Sequence, residues 1–359
     1  MSMWHNTSVT KLLGIEYPVF QGPFGGNLST VRLASTVSNM GGLGGYGAYT
    51  MTAAEIIRLC NDMREATSRP YNINLWVSNS DIPQGGVTDE RFRGARALFQ
   101  PYFEEMGVAL PEKPGTQVIS FEDQVQAILD ARPPVFSFMF GIPSADVLEK
   151  CRRRGILMAG AATTLDEALA LDAAGVDLIV ASGFEAGGHR PSFLASAETS
   201  LVGTFVLVQQ IRARVRTPVI AAGGIATGKG IAAALTLGAD GVQVGTAFLA
   251  CEESGASPFH RELLFSEGAR HSVLTRAFSG RLGRGLMNRI ALETTGREDE
   301  MLPFPLQSGL MGPLRKAAMD RGEPDLFFAW GGQIATELRH RKAADLMRAL
   351  IDETKVHLQ

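Results

Sequence analysis

Short apolar runs alternate with amphipathic stretches along most of the chain. Runs at 18–21, 42–48, 71–77, 135–140, 156–161, 177–182, 218–224 and 241–249 are β-branched, apolar or glycine-rich and predict eight strands. Most are continuously apolar rather than alternating, the pattern of strands buried on both faces. Helix-period stretches lie between them, including 30–39, 121–131, 144–154, 200–215 and 228–237. Thr52-Ala53-Ala54-Glu55 and Thr164-Leu165-Asp166-Glu167 each read as a capping box opening a helix. In such a box a hydroxyl and a carboxylate take up free amide donors, worth about 1 kcal/mol for the cap. The β-then-α rhythm implies parallel neighbours joined by right-handed crossovers. Eight units in series favour a (β/α)8 barrel of the α/β class over an open doubly wound sheet.

Two stretches break the rhythm. Residues 78–131 are longer and more polar, with a helix predicted over 88–106, and read as an excursion from a barrel spanning 1–257. Residues 258–325 hold an Arg-rich stretch at 276–289 and a Pro/Gly-rich one at 302–313, and read as a smaller cap or lid. In the final segment, 326–359, the stripe Ile334, Leu338, Leu346, Leu350 and Ile351 predicts one helix over 331–351 that returns to cover the eighth strand.

Composition narrows the function classes. With 45% hydrophobic and 20% charged residues, the 359-residue chain has the apolar area to fold. Its 34 Lys+Arg against 37 Asp+Glu leave no basic excess to attract nucleic acid or an anionic membrane. No run approaches the roughly 18 apolar residues that span a bilayer, and Met1–Thr10 lacks a secretory signal pattern. Cys60, Cys151 and Cys251 lie far apart with no Cys/His ligand spacing, so no metal site is expected. An odd, low cysteine count suits a reducing compartment, and the expectation is a soluble cytoplasmic protein.

Glycine is the outlier, at 40 residues, and its clusters fall where barrel chemistry resides. Ligands of such barrels sit at the carboxyl ends of the strands. The seventh strand ends in Gly223-Gly224, and the eighth contains Gln243-Val244-Gly245-Thr246. Two such turns at these strands favour backbone amides that grip a phosphate over turns that merely tighten the chain. Thr246 offers a hydroxyl. Trp330-Gly331-Gly332-Gln333 either adds amides to the same site or is an ordinary turn. Gln21-Gly22-Pro23 ends the first strand, where backbone groups could contact a flat ring. Asn74 ends the third and either meets a ring edge or caps its own loop. Of six histidines, His189 alone sits on a glycine-rich loop at the end of a strand, Ser182 to Arg190. That position favours a catalytic base over a structural or metal-binding role. Arg276, Arg281, Arg284 and Arg289 read as a solvated basic face.

Taken together, PVFQGP at 18–23, NINL at 72–75, ASGFEAGGHR at 181–190, PVIAAGGIATGKGIAAALTLGADGVQVGTAFLA at 218–250, ESGASP at 253–258, TRAFSGR at 275–281 and WGGQ at 330–333 resemble the nitronate monooxygenases, formerly 2-nitropropane dioxygenases, over nearly the whole chain. The histidine-containing loop looks like the class I branch. The resemblance implies a barrel with a substrate-covering cap and non-covalent FMN. Gln21, Gly22 and Pro23 would lie by the ring and Asn74 by its polar edge. Gly183, Gly223, Gly224, Gln243, Gly245 and Thr246 would hold the phosphate region. Gly331, Gly332 and Gln333 would close the site, with His189 as base. The implied reaction oxidises alkyl nitronates, or nitroalkanes, with O2 to carbonyl compounds and nitrite. An NAD(P)H-dependent FMN reductase acting on quinones or enoyl thioesters, and a flavin-binding module without turnover, are the alternatives. Met139 stands where a histidine is expected, Phe304 where a tyrosine is common, and Pro191 where a glycine is common. These departures strip polar groups from the substrate side. The oligomeric state stays open, a homo-oligomer included.

Overall fold

The computed structural model describes residues 4–78, 80–112 and 119–358. Its strands are β1 (Val19–Gln21), β2 (Gly44–Gly47), β3 (Tyr71–Trp76), β4 (Val135–Met139), β5 (Leu157–Ala162), β6 (Leu178–Ser182), β7 (Gly188–His189), β8 (Val219–Ala222), β9 (Gly241–Val244), β10 (Ser272–Thr275) and β11 (Gly283–Leu286). Eight of them form one parallel sheet in the order β1-β9-β8-β6-β5-β4-β3-β2. The ring closes between β1 and β2, where Phe20 bridges Leu43 and Gln21 N donates to Leu43 O at 2.9 Å. The fold is therefore the expected (β/α)8 barrel, with β7, β10 and β11 forming a separate antiparallel sheet.

Alternation within the strands builds two apolar layers. Tyr71, Ile73 and Leu75 face the surrounding helices, as do Phe136, Phe138, Val242 and Val244. Phe20, Leu43, Val135, Ala159, Leu178, Val180 and Ile220 fill the lower interior, and Val9, Leu13 and Ile15 of the N-terminal segment complete that cluster. The upper interior is stocked instead with Asn74, Ser137, Ala161, Ser182, Ala222 and Gly245, side chains too small to close the barrel, and a cavity opens there.

Local sequence explains most helix boundaries. Thr52 and Glu55 form the full reciprocal box at the start of Ala53–Ala66. The second box is only half formed. Thr164 Oγ1 accepts from Glu167 N, but the buried Glu167 carboxylate turns to Thr163 N, Thr163 Oγ1, Phe193 N and Leu194 N, at 2.5–3.2 Å. It thereby anchors the chain beyond His189.

Two other expectations are corrected. The eighth strand does not run over 241–249: it stops at Val244, and Thr246–Leu249 is one helical turn. All four of those residues are buried, so a continuous apolar run suits either form. Nor is 331–351 one helix. Gln333–Glu337 is a single 3-10 turn, Leu338 is extended, and the α-helix is Ala343–His357. The polar run Arg339-His340-Arg341-Lys342 intervenes, drawn to the barrel as Arg341 O accepts from Glu252 N and Glu253 Oε2 accepts from Ala343 N. The helix then packs on Gly228–Thr236 and Val31–Asn39, as the eighth member of the outer ring.

A second core stands over the mouth. It joins Phe99 and Phe103 of the helix Asp89–Glu105 to Leu310 and Leu314 of Leu306–Arg321 and to Phe327 and Phe328. The helix read as a barrel excursion thus packs with the 258–325 region. Among the described residues no helix is long and apolar enough to cross a membrane.

Candidate active site

A cavity of about 220 Å³ opens at the carboxyl ends of the barrel strands. Gly22, Pro23, Asn74, His189, Gly223, Gly224, Gln243, Gly245, Thr246, Gly331 and Gly332 all line it. Three other candidates do not. Gln21 is buried, with its Nε2 donating to Gly22 O and its Oε1 accepting from Gly45 N at 2.9 Å. Gly183 sits behind the wall, its O accepting from Arg190 Nη1 at 2.6 Å. The Gln333 side chain is exposed, while its N donates to Glu185 O at 3.0 Å.

One side of the cavity is bare backbone. Gly223 and Gly224 have φ of 109° and 69°, a region side-chain-bearing residues rarely adopt. The WGGQ segment and the β6 loop touch backbone to backbone: a Cβ on Gly187 would lie 2.6 Å from Gly332 N, and one on Gly332 2.9 Å from Glu185 O. Thr246 Oγ1 accepts from Gly332 N at 2.9 Å, which leaves its hydroxyl proton for another acceptor. Glu185 lines the cavity but is engaged elsewhere. Its carboxylate accepts from Thr204 N at 3.0 Å, at the start of the helix Thr204–Arg212, where the helix dipole favours negative charge.

The floor holds a polar group in an apolar barrel. Asn72 and Asn74 both donate through Nδ2 to Ser137 Oγ at 2.9 Å, and neither Oδ1 has a partner among the described residues. Both side chains line the cavity. A buried unpaired amide oxygen costs free energy unless a ligand or water supplies a donor.

His189 also lines the cavity, in β7, where β11 pairs with it. The buried Arg190 pins the loop that delivers it, donating to Gly183 O, Ser182 O and Ser200 O. The imidazole Nε2 lies 2.6 Å from Ser279 Oγ. The rings of Trp330, Trp76, Phe304 and Phe140 stand 5.0, 5.3, 5.9 and 6.4 Å away. Burial, and secondarily the Arg281 cation, push its pKa down to about 3, so the ring is neutral.

Two of the four arginines expected on a solvated face, Arg281 and Arg284, are buried, while Arg276 and Arg289 stay part-exposed and pair with Glu198 and Glu105. Arg281 is 5% and Arg284 3% exposed. Arg281 donates through Nε and Nη2 to Asp81 at 2.7 and 2.6 Å, and its guanidinium lies 4.1 Å over Phe140 and 4.6 Å over Phe304. Arg284 donates to Phe184 O and Ser272 Oγ. Sequence reading placed Arg281 on a solvated face and assigned no role to Ser279, Ser137, Tyr49 and Trp76. For Trp76 the signal was its place two residues beyond Asn74, on the same strand face. For Ser279 and Arg281 there was none short of knowing their distant partners.

A parallel barrel that gathers glycine turns, unsatisfied amides and a neutral imidazole around one cavity at its strand ends defines a (β/α)8-barrel enzyme. The sequence profile of the nitronate monooxygenase family matches residues 6–353. The chain belongs to this family and is an oxidoreductase. It is 36% identical over 358 residues to a probable nitronate monooxygenase of Staphylococcus haemolyticus (strain JCSC1435), covering 99% of each chain. With one of Staphylococcus aureus (strain MSSA476) it is 38% identical over 332 residues, 92% of each. Among solved structures, the nitroalkane oxidase of Streptomyces ansochromogenes superposes with a TM-score of 0.87 at 34% identity, covering 97% of this chain and 98% of that one. FabK of Thermotoga maritima gives 0.74 at 27% identity, with 98% and 96% covered.

Proposed function

We propose that the chain is an FMN-dependent nitronate monooxygenase that oxidises alkyl nitronates with O2 to carbonyl compounds and nitrite, and accepts nitroalkanes once a proton is removed. The observation that carries this reading is that one cavity is lined both by the glycine turns and by His189. The residues fit the cofactor. The positive-φ pair Gly223-Gly224 and the turn Gly245-Thr246 offer amides without side chains in the way, suited to a phosphate. The unpartnered Asn74 Oδ1 suits a ring edge bearing an N–H. Gly22 and Pro23 would flank the ring, and Gly331 and Gly332 would close over it. When bound, FMN would supply the electron acceptor and the site of oxygen reduction.

The chain's own residues then bind, orient and move a proton. A neutral His189 accepts the proton from the carbon beside a nitro group, and the Ser279 hydroxyl, 2.6 Å from Nε2, fixes how the ring is turned. An imidazole held so far below its ordinary pKa is a weak base toward a neutral nitroalkane, so a preformed nitronate is the better substrate. The tests are oxygen uptake and nitrite release on adding ethyl or propyl nitronate. His189→Asn is expected to lower nitroalkane turnover about 10²–10⁴-fold while leaving nitronate turnover within about tenfold. Reduction of the bound flavin by NADPH, with no nitrite from any nitronate, would place the chain among the flavin reductases instead.

A further inference from the structure

We propose that Glu185 and Thr204 are positioning residues that brace the glycine turn at the end of β8 and the His189 loop against one another, so that cofactor binding and placement of the base are set together; the proposal rests on the reading above and adds two residues to its site. Both segments are poor in side chains of their own. The turn is Gly223-Gly224, at φ of 109° and 69°, and the loop from Ser182 to Arg190 holds Gly183, Gly187 and Gly188. Glycine loses more backbone freedom on ordering than any other residue, so amides and an imidazole held in fixed positions here need bracing from outside the two segments. The start of the helix Thr204–Arg212 supplies it. Thr204 N donates to Glu185 Oε1 and Oε2, each at 3.0 Å. The buried Thr204 Oγ1 lies 2.9 Å from Glu185 Oε2, 3.1 Å from Gly223 O and 3.2 Å from Ala222 O. A Cβ on Gly183 would overlap that hydroxyl, and one on Gly223 would lie 2.9 Å from it. The hydroxyl therefore fills the gap between loop and turn and touches both.

A carboxylate beside turns suited to a phosphate calls for a reason. Glu185 lines the cavity, and a Cβ on Gly224 would lie 3.7 Å from Glu185 Cβ. Its charge would repel a phosphate there, a cost set against what the carboxylate holds in place. It takes the first free amide of the helix, where the helix dipole favours it. It also favours the charged forms of the buried Arg190 and Arg284. Arg190 pins the His189 loop through Gly183 O, Ser182 O and Ser200 O, and Arg284 pins it through Phe184 O. The Glu185 backbone O accepts from Gln333 N at 3.0 Å, so the closing segment is tied to the same residue. Removing the Thr204 hydroxyl or the Glu185 charge would loosen the turn and the loop at once.

The test uses three variants. Thr204→Val keeps the shape and the N–H but removes the hydroxyl, Thr204→Ser restores the hydroxyl, and Glu185→Gln keeps the shape without the charge. Each is read in three ways: FMN Kd by fluorescence titration, the ratio of kcat/KM on nitroethane to that on ethyl nitronate at saturating FMN, and the imidazole NMR signals of the histidine-labelled holoenzyme. The His189 signal is identified by its loss in His189→Asn, and the exposed His271 serves as reference. Thr204→Val is expected to raise Kd and lower the ratio, each by about tenfold, the scale of one hydrogen bond to a charged group. It should also shift the His189 signal while that of His271 stays in place. Thr204→Ser should stay within about threefold of the unaltered enzyme in Kd and in the ratio, and Glu185→Gln should change all three readouts in the direction of Thr204→Val. A Kd that rises while the ratio and the His189 signal stay unchanged overturns the proposal, because turn and loop then move separately. An unchanged Kd in both Thr204→Val and Glu185→Gln overturns it as well. If no nitronate turns over yet Kd and the His189 signal change together, the coupling stands and the monooxygenase reading falls.

Discussion

The protonation state of His189 leads to a prediction in which pH is the perturbation. An imidazole at its ordinary pKa of 6.5 would be only about 3% neutral at pH 5, so a reaction that needs it as base would slow about 30-fold between pH 8 and pH 5. Here burial is the larger cause and Arg281 the smaller, and together they hold the group down to about 3. At pH 5 about 99% of the rings would still be neutral. Oxygen uptake with a neutral nitroalkane, read as kcat/KM, should therefore change less than about twofold from pH 8 to pH 5. The same quantity reports the free enzyme's ionisations. Arg281→Met should move any acid break upward but keep it below 6.5, because burial remains. A bell or a fall centred near pH 6.5 in the unaltered enzyme would refute the argument that the aromatic enclosure sets the base.

Three further outcomes are expected. His260 is buried, with Nε2 2.8 Å from Trp330 O, and its pKa is lowered to about 4, chiefly by burial. The unfolded chain therefore binds a proton that the folded one refuses. The resulting stability is present above pH 6.5 and lost as pH falls towards 4, by about 3 kcal/mol; His260→Gln should flatten that fall in urea titrations across the same range. Glu167→Gln places an amide among four donors to a buried carboxylate and should cost about 3 kcal/mol of unfolding free energy, read from the urea midpoint at constant slope. Gly332→Ala drives a Cβ to within 2.9 Å of Glu185 O and should break the Gly332–Thr246 and Gln333–Glu185 hydrogen bonds. At about 1 kcal/mol for each, FMN affinity should fall about 30-fold by fluorescence titration.

The sequence and the structure agree where the physics is local. Continuous apolar runs separated by helix-period stretches announce a buried parallel sheet, because neither pattern depends on distant partners. Thr52 and Glu55 sit three residues apart and bond as read. Agreement ends where identical residues suit two conformations. Ala247, Phe248 and Leu249 are buried as a helical turn but would be equally buried as strand. Ile334 and Leu338 lie in phase with Leu346 and Leu350, yet the polar run between them leaves the helix. Agreement also ends where a charge finds its partner far along the chain. Arg281 looked solvated because Asp81 lies 200 residues away and Phe140 comes from another loop. Glu167 looked like half of a local box, but Phe193 and Leu194 claim it.

The account rests on the glycine-lined side of the cavity taking up a flavin phosphate within reach of the chemistry at His189. The direct measurement is the visible absorption spectrum of the purified protein during titration with FMN, followed by release and quantification of the bound cofactor. The account predicts one FMN per chain, with a shifted flavin band that disappears on anaerobic addition of an alkyl nitronate. A spectrum that remains that of free FMN at every ratio, with no cofactor retained on the protein, would contradict it.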